Sequence, residues 1–340
     1  MSTPAELTRA RLNALAKPPG SLGRLEDIAV FLADAQQAFP PTVRSPRVIV
    51  FAGDHGVARD EGVSPYPPEV TGAMIATFAS GKAAVAVLAR QAGADLEVVQ
   101  VGVVPDVGVQ PVPGVRVLNH NVARGTQNLA VTPAMTAAQC ERALEVGRQA
   151  VARALADGVD VLCLGEMGIG NTTPAAAVSA RLLDRPATEL VGPGTGLDAA
   201  GVAHKAQVVQ RALDRGGSAD PLDALADLGG FEIAALTGAM LAAEAGNLPV
   251  LLDGFIVGAA ALVAVRHRPE TRRVLLPCSR SAEPGHVAVL QALDLGPPVL
   301  DLGLRLGEAS AATAALPLVK SAAAVVTEMA LLQDVLAGTL

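Results

Sequence analysis

The sequence predicts an α/β fold: one parallel sheet with helices on both faces. Three observations carry this. Short apolar runs rich in Val, Ile and Leu alternate with longer helical patterns, which is how strand–helix–strand units read. Each chemically unusual segment stands just after a predicted strand, which in such folds collects them at the carboxyl edge of the sheet. The core must also be aliphatic, because 340 residues that are 51% hydrophobic contain six Phe, one Tyr and no Trp.

Taken in order, residues 5–16 and 25–38 have helical apolar spacing, separated by the turn-like Lys17-Pro18-Pro19-Gly20-Ser21. Val48 to Phe51 is a β-branched run ending at Ala52-Gly53-Asp54-His55-Gly56. Helical patterns follow over 67–92, then strand candidates at 96–101 and 115–118. A helix over 136–157 leads into a strand at 159–164, and helical or strand segments recur at 175–184, 198–214, 231–246 and 249–252. A helix over 254–265 precedes a strand at 273–277; 298–302 is the last strand candidate, and an Ala-rich helical stretch covers 309–337.

Composition excludes several classes. A formal net charge of −7, with no basic cluster and no aromatic stacking set, argues against a nucleic-acid surface. Cys140, Cys163 and Cys278 show neither a CxxC spacing nor a paired pattern, which fits a reducing compartment. The polar stretch from Met1 to Arg11 has no apolar core of a secretory signal, and Pro249 to Val265 is too interrupted to span a bilayer. The expectation is a soluble, cytoplasmic protein.

The most informative segment is Gly165-Glu166-Met167-Gly168-Ile169-Gly170-Asn171-Thr172-Thr173-Pro174. A strand, a glycine-rich turn and a helix start offer unpaired amides to an anion, and the glycines let backbone approach a ligand closely. The spacing matches neither the P-loop nor the dinucleotide fingerprint. Glu166 is an odd residue for a phosphate clamp, since a carboxylate repels phosphate; it points to a ligand with hydroxyls or a cationic ring besides its anionic end.

Four other glycine-containing segments join it at strand ends: Asp54-His55-Gly56 with Gly62-Val63-Ser64-Pro65-Tyr66, then Gly192 to Asp198 with Lys205, then Ser281 to His286, then Gly303 to Glu308. Lys205 can serve as a point charge for phosphate, although an isolated helix lysine is ordinarily solvated. Glu308 opens a long apolar helix; its position suits the helix dipole, and a carboxylate beside an apolar pocket can act as a general base. Tyr66 and Met74 could line such a pocket or belong to the core. Asp54-His55 and Glu283-x-x-His286 supply paired candidate metal ligands, but Pro284 and Gly285 oppose helix between the latter, and the five histidines are scattered. No metal site is expected.

Eight segments, in order along the chain, now carry a resemblance: Lys17 to Glu26, Ala52 to Val57, Asp60 to Ser64, Gly165 to Pro174, Gly230 to Leu236, Asp253-Gly254-Phe255, Ser281 to His286 and Leu302 to Glu308. Together they resemble the nicotinate-nucleotide–dimethylbenzimidazole phosphoribosyltransferase family of cobalamin lower-ligand assembly. The resemblance implies a Rossmann-like parallel sheet domain over 45–305. It also implies a small helical domain from 1–44 together with 306–340, and a homodimer. It implies transfer of phosphoribose from nicotinate mononucleotide to 5,6-dimethylbenzimidazole, with inversion at C1′, no cofactor and no metal. Glu308 would be the base, with Glu166 beside the ribose and the reacting ring. Gly168, Gly170, Asn171, Thr172, Thr173, Gly196, Lys205, Ser281 and Gly307 would surround phosphate and ribose, and Tyr66, Met74 and Leu306 the flat base.

The chain departs from the family pattern at Ala309-Ser310-Ala311, where many members have Gly-Ser-Gly, at Pro193, and at Ser279, where a histidine is expected. These bear on donor binding and acceptor choice. Two other readings stand beside this one: the same chemistry on another base or a phenolic acceptor, and a non-catalytic nucleotide-binding subunit. Retained Glu308 and Lys205 weigh against the second.

Overall fold

The structure, a computed structural model, describes residues 2–104 and 108–339. The first helix, α1 (Pro4–Ala14), starts where Thr3 and Glu6 cap each other reciprocally and Pro4 takes the first helical position. There follow α2 (Arg24–Gln36), β1 (Pro46–Gly53), α3 (Gly56–Glu61), α4 (Val70–Ala79), α5 (Ala84–Ala92), β2 (Asp95–Gly102) and β3 (Val115–Asn119). The middle of the chain forms α6 (Ala137–Ala156), β4 (Val161–Met167), α7 (Thr172–Leu183), α8 (Ala187–Leu190), α9 (Ala199–Asp214), α10 (Pro221–Leu228) and α11 (Phe231–Ala245). The chain closes with β5 (Val250–Leu252), α12 (Phe255–His267), a 3-10 turn over Pro269–Val274, β6 (Leu275–Pro277), α13 (Pro284–Leu293), α14 (Ser310–Glu328) and α15 (Leu332–Ala337).

All six strands form one parallel sheet in the order β3-β2-β1-β4-β5-β6. The α/β class and the Rossmann-like strand order are therefore as expected. Chain direction across the sheet reverses between β1 and β4, where Val50 pairs with Gly165 and Phe51 with Glu166. Open sheets of this kind leave a crevice beyond the carboxyl ends of such a pair.

Alternation along the strands sorts the core into two layers. Ile49, Phe51, Val99, Val101, Leu162 and Leu164 face the side covered by α6, α7 and α9 to α13. Val48, Val50, Ala52, Val98, Val161 and Cys163 face the opposite side, where α1, α2, α4, α5 and α14 pack. The two chain ends meet on this second side. Arg11 of α1 donates to the carbonyls of Val326 (3.1 Å) and Met329 (2.9 Å), covering the last turn of α14.

The structure differs from the expected elements in several places. Residues 298–302 form no strand: Val299 and Leu300 make backbone bonds to Pro277 and Cys278, and Ser279 and Leu300 form only an isolated bridge. Pro298 has no N–H to extend the ladder, and Gly303 (φ 66°) turns the chain away. The 309–337 stretch is two helices, parted where Ala16 donates to Ala330 and Leu15 pairs with Leu331. A helix does begin at Pro284, contrary to expectation, because proline at the first helical position gives up an amide that would be unpaired anyway.

The tightest crossing is α6 on α11. Gly147 packs against the backbone of Ala235 and Ala239, and Gly238 against that of Leu144, with no space for a Cβ on either. Alanine ordinarily favours a helix by about 1 kcal/mol over glycine. Here the sign reverses: Gly147→Ala is expected to cost about 1–3 kcal/mol through overpacking, read as a lowered midpoint in urea unfolding at unchanged m-value.

Candidate active site

Four strand ends converge on one cleft. Its walls include Glu166 to Thr172 from the last residues of β4 onward, Asp253 to Ile256 after β5, Ser279 and Ser281 after β6, and Val63 to Pro65 from the loop beyond β1. Leu304 to Gly307 and Pro193 to Thr195 close it, and about 900 Å³ of empty space lies within, part of it open to solvent.

The glycine turn is held by its neighbours. Gly170 has a φ of 81°, which favours glycine. Gly168 lies against the carbonyl of Gly53 and the ring of His55. The Ile169 amide donates to Thr71 Oγ1 (3.2 Å), and the amides of Asn171 and Thr173 close back onto the carbonyls of Gly168 and Gly170. Asn171 Nδ2 donates to Glu166 Oε2, so the carboxyl in the cradle is tied to the start of α7.

The second wall centres on Lys205, fully buried in α9. Its Nζ donates to Thr172 Oγ1 (2.6 Å) and to the Gly192 carbonyl (3.2 Å). Glu283 grips the same turn from the other side, with Oε1 accepting from the Gly194 amide (2.7 Å). Burial pushes Lys205 down to about 8, the nearby Glu283 charge opposing the shift.

The third wall is the entry to α14. Asp253, buried after β5, accepts from the amides of Ala311 (2.7 Å) and Ala312 (3.2 Å), the first turn of that helix. Glu308 and Ala309 just before it have φ of 61° and 62°, left-handed values that side chains rarely adopt. Ser310 and Thr313 fasten the turn by donating to the carbonyls of Gly307 and Ala309. Gly307 (φ 85°) is required twice over, since a Cβ there would also stand 2.5 Å from Glu166 Oε1.

Of the residues singled out by sequence, Glu166, Gly168, Gly170, Asn171, Thr172, Ser281, Leu306 and Gly307 line the cleft. Lys205 stands one layer behind Thr172. Glu308 is buried beside the cleft; the Val85 amide at the start of α5 donates to its carboxylate, while Oε2 has no partner. Thr173 is buried in α7, Gly196 (φ 125°) is exposed, Met74 packs against the core from α4, and Tyr66 is 50% exposed. None of these four belongs to the cleft wall described here. Asp253 and Glu283 were not singled out as site residues, although Asp253 follows its strand just as Asp54 and Glu166 follow theirs. His286 is used structurally: its Nδ1 accepts from the Ser281 amide (2.9 Å), and burial lowers it to about 4.

The acids dominate the electrostatics. Burial pushes Glu166 up to about 8, opposed by the Asn171 hydrogen bond and reinforced by the charges of Asp253, Glu232 and Glu308. Burial likewise takes Asp253 up to about 7 against the amides of Ala311, Ala312 and Ala309, and Glu308 up to about 7 against the Val85 amide. Glu166 is thus largely protonated at neutral pH, which removes the repulsion a carboxylate would exert on phosphate.

A Rossmann-like sheet with a phosphate-type turn and buried acids at its switch point defines a nucleotide-handling enzyme. A family model described as Phosphoribosyltransferase matches residues 2–335. The nicotinate-nucleotide–dimethylbenzimidazole phosphoribosyltransferase of Ectopseudomonas mendocina (strain ymp) is 54% identical over 323 residues, covering 94% of this chain and 90% of its own. That of Azotobacter vinelandii (strain DJ / ATCC BAA-1303) is 52% identical over 330 residues, covering 96% and 92%. The crystal structure of CobT from Thermus thermophilus superposes with a TM-score of 0.92 at 44% identity, over 99% of this chain and 98% of that one. The chain belongs to the nicotinate-nucleotide–dimethylbenzimidazole phosphoribosyltransferase family.

The raised Glu166 carboxyl has a consequence for stability. A carboxyl whose folded pKa lies above its unfolded value contributes stability present at low pH and lost as pH rises through the folded pKa. Glu166→Gln should therefore melt close to wild type near pH 5 and gain on it by several degrees towards pH 8, in ligand-free thermal melts. A constant difference across that range would show that Glu166 ionises normally.

Proposed function

We propose that the protein transfers phosphoribose from nicotinate mononucleotide to 5,6-dimethylbenzimidazole, releasing nicotinate and α-ribazole 5′-phosphate. The observation that carries this reading is the meeting of Glu166, Asp253 and the Glu308 turn over a glycine-rich helix start in one cleft. The named relatives are enzymes of this reaction, and they match this chain over nearly its full length.

An unprotonated ring nitrogen of the acceptor attacks C1′ from the face opposite nicotinate. The bond from C1′ to the pyridinium nitrogen breaks, its electron pair returns to that ring, and nicotinate leaves neutral at nitrogen without needing an acid. The proton that must be lost comes from the acceptor's other ring nitrogen and passes to Glu308. With a pKa near 7, Glu308 is matched to that task at neutral pH, and its Oε2 is taken up by no other protein group. Protonated Glu166 donates to the ribose, and the Gly168–Thr173 turn, through the amides its internal bonds leave over, holds phosphate and ribose with Thr172, Ser281 and Gly307, Lys205 acting through Thr172 and the Gly192–Gly196 turn. The acceptor is taken by Leu306 of the cleft wall together with Tyr66 and Met74, which lie outside that wall. Within the same reading, 1–44 and 306–340 form a small helical domain, and the enzyme works as a cytoplasmic homodimer.

The test is direct: purified protein with nicotinate mononucleotide and dimethylbenzimidazole, without added metal, should yield α-ribazole phosphate and free nicotinate by chromatography and mass spectrometry. No product from folded protein would leave another acceptor or a binding-only role, which a panel of bases and phenols separates. Glu308→Gln should lower kcat at least about 10²-fold, the usual contribution of a positioned base, while the donor's Kd stays within twofold of wild type. The wild-type kcat/KM should rise with pH through about 7, where Glu308 ionises. A near-wild-type rate for Glu308→Gln would overturn its role. Lys205→Ala should weaken nicotinate mononucleotide about tenfold or more, the cost of a lost charged hydrogen bond, by calorimetric titration.

A further inference from the structure

Beneath the glycine turn lies an ion pair that the reaction scheme above does not use. His55, at the end of β1, and Glu232, in the first turn of α11, are both fully buried, with Nε2 3.0 Å from Oε1. The two groups meet only each other, and no further hydrogen bond reaches either ring nitrogen or either carboxylate oxygen. A buried pair without supporting hydrogen bonds is a poor source of stability, since desolvating two ions costs as much as their attraction returns. Its place in the fold calls for another reason.

Three backbone segments pack directly on the pair, each through a glycine. A Cβ on Gly168 would stand 3.1 Å from His55 Nε2, one on Gly53 2.9 Å from Glu232 Oε2, and one on Gly230 2.5 Å from His55 Cε1. The pair is therefore oriented: its imidazole end touches the Gly168 turn, its carboxylate end faces Gly53, and Gly230 spans both. Burial opposes a charge on His55, but the carboxylates of Glu232 and Asp54 outweigh it and keep the ring protonated to higher pH than usual. Asp54 works on the same turn from the side. It accepts from Thr71, which in turn accepts from the Ile169 amide, and from the Val104 amide (2.7 Å).

We propose that His55 and Glu232 are positioning residues for transfer: the imidazolium end of the pair props the Gly168 turn from below and tunes it for an anionic donor. Fixed dipoles and charges arranged before the ligand arrives stabilise it without reorganisation. The carboxylate end completes the device, since Glu232 both holds the ring in place and adds to the negative surroundings that keep Glu166 protonated. This rests on the reading that the Gly168–Thr173 turn seats the phosphoribosyl group.

The test compares His55→Gln, Glu232→Gln and the double variant in the full-length enzyme, measuring melting temperature, the Kd for nicotinate mononucleotide and the KM for the acceptor. The single variants leave one buried group without its partner and are expected to melt lower. The double variant fills the same space with neutral amides and should recover most of that loss. The expected result is a donor Kd raised at least tenfold in His55→Gln and still raised at least fivefold in the double variant, with acceptor KM within twofold of wild type. A donor Kd that returns to wild type together with melting temperature in the double variant would reduce the pair to a packing element and overturn the proposal. Should either single variant fail to fold, the double variant decides alone by the same criterion. Thr172→Ala separates the two levels of the argument. If it weakens the donor while the pair variants do not, the seat stands and the pair's role falls; if none of them does, the donor sits elsewhere and both fall.

Discussion

Asp253 is the contact on which the arrangement of the cleft depends. It leaves the sheet at the end of β5 and reaches across to the amides that open α14, so a residue of the sheet caps a helix packed with the chain's N-terminal helices. Those amides have no intrahelical partner, and a carboxylate there satisfies them and suits the positive end of the helix. The capped turn holds Glu308 and Ala309 at positive φ, a conformation that neither side chain would choose. The cap acts together with close packing, since Ala309 lies directly on Gly165 of β4 and Gly307 on Glu166, and between them they fix Glu308 relative to the glycine loop.

The same construction explains why the acids tolerate one another. Glu166, Asp253 and Glu308 lie within electrostatic reach and are all drawn out of water. Each is restrained by a different partner: Asn171 for Glu166, helix amides for Asp253, the Val85 amide for Glu308. Their affinities for protons are consequently raised to the neutral range, where one can stay protonated while another accepts a proton. Glycine makes the crowding feasible. Gly307 beside Glu166 and Gly168 over His55 are places where a single methyl group would occupy the space that a carboxylate or an imidazole needs.

Much of the fold was legible because strand and helix periodicities are local. The runs at Val48 to Phe51, 96–101 and 115–118 fell within β1, β2 and β3, and the glycine segment did follow a strand and open a helix. The 298–302 run misled because the apolar pair Val299-Leu300 beside prolines looks like a strand, whereas pairing needs donors and a neighbour of sufficient length. The short helices α3, α8 and α10 escaped notice because a helix of one or two turns has no apolar period to detect. In the cleft, residues carried by a glycine motif were visible, and Asp253 and Glu283 were not, since their meaning comes from the distant amides of Ala311, Ala312 and Gly194.

By itself, the sequence determined the α/β class, the aliphatic core, the position of the unusual segments at the ends of β1, β4 and β6, and the family resemblance, all of which depend on short stretches of chain read in order. Only the tertiary structure decided which acids meet, which of them are forced towards neutrality, and that Lys205 stands behind Thr172 while Tyr66 stays half in solvent. The reason is physical. Secondary structure follows from neighbours a few residues apart, but proton affinity and ligand contact follow from burial and from charges that lie far away in the chain and close in space.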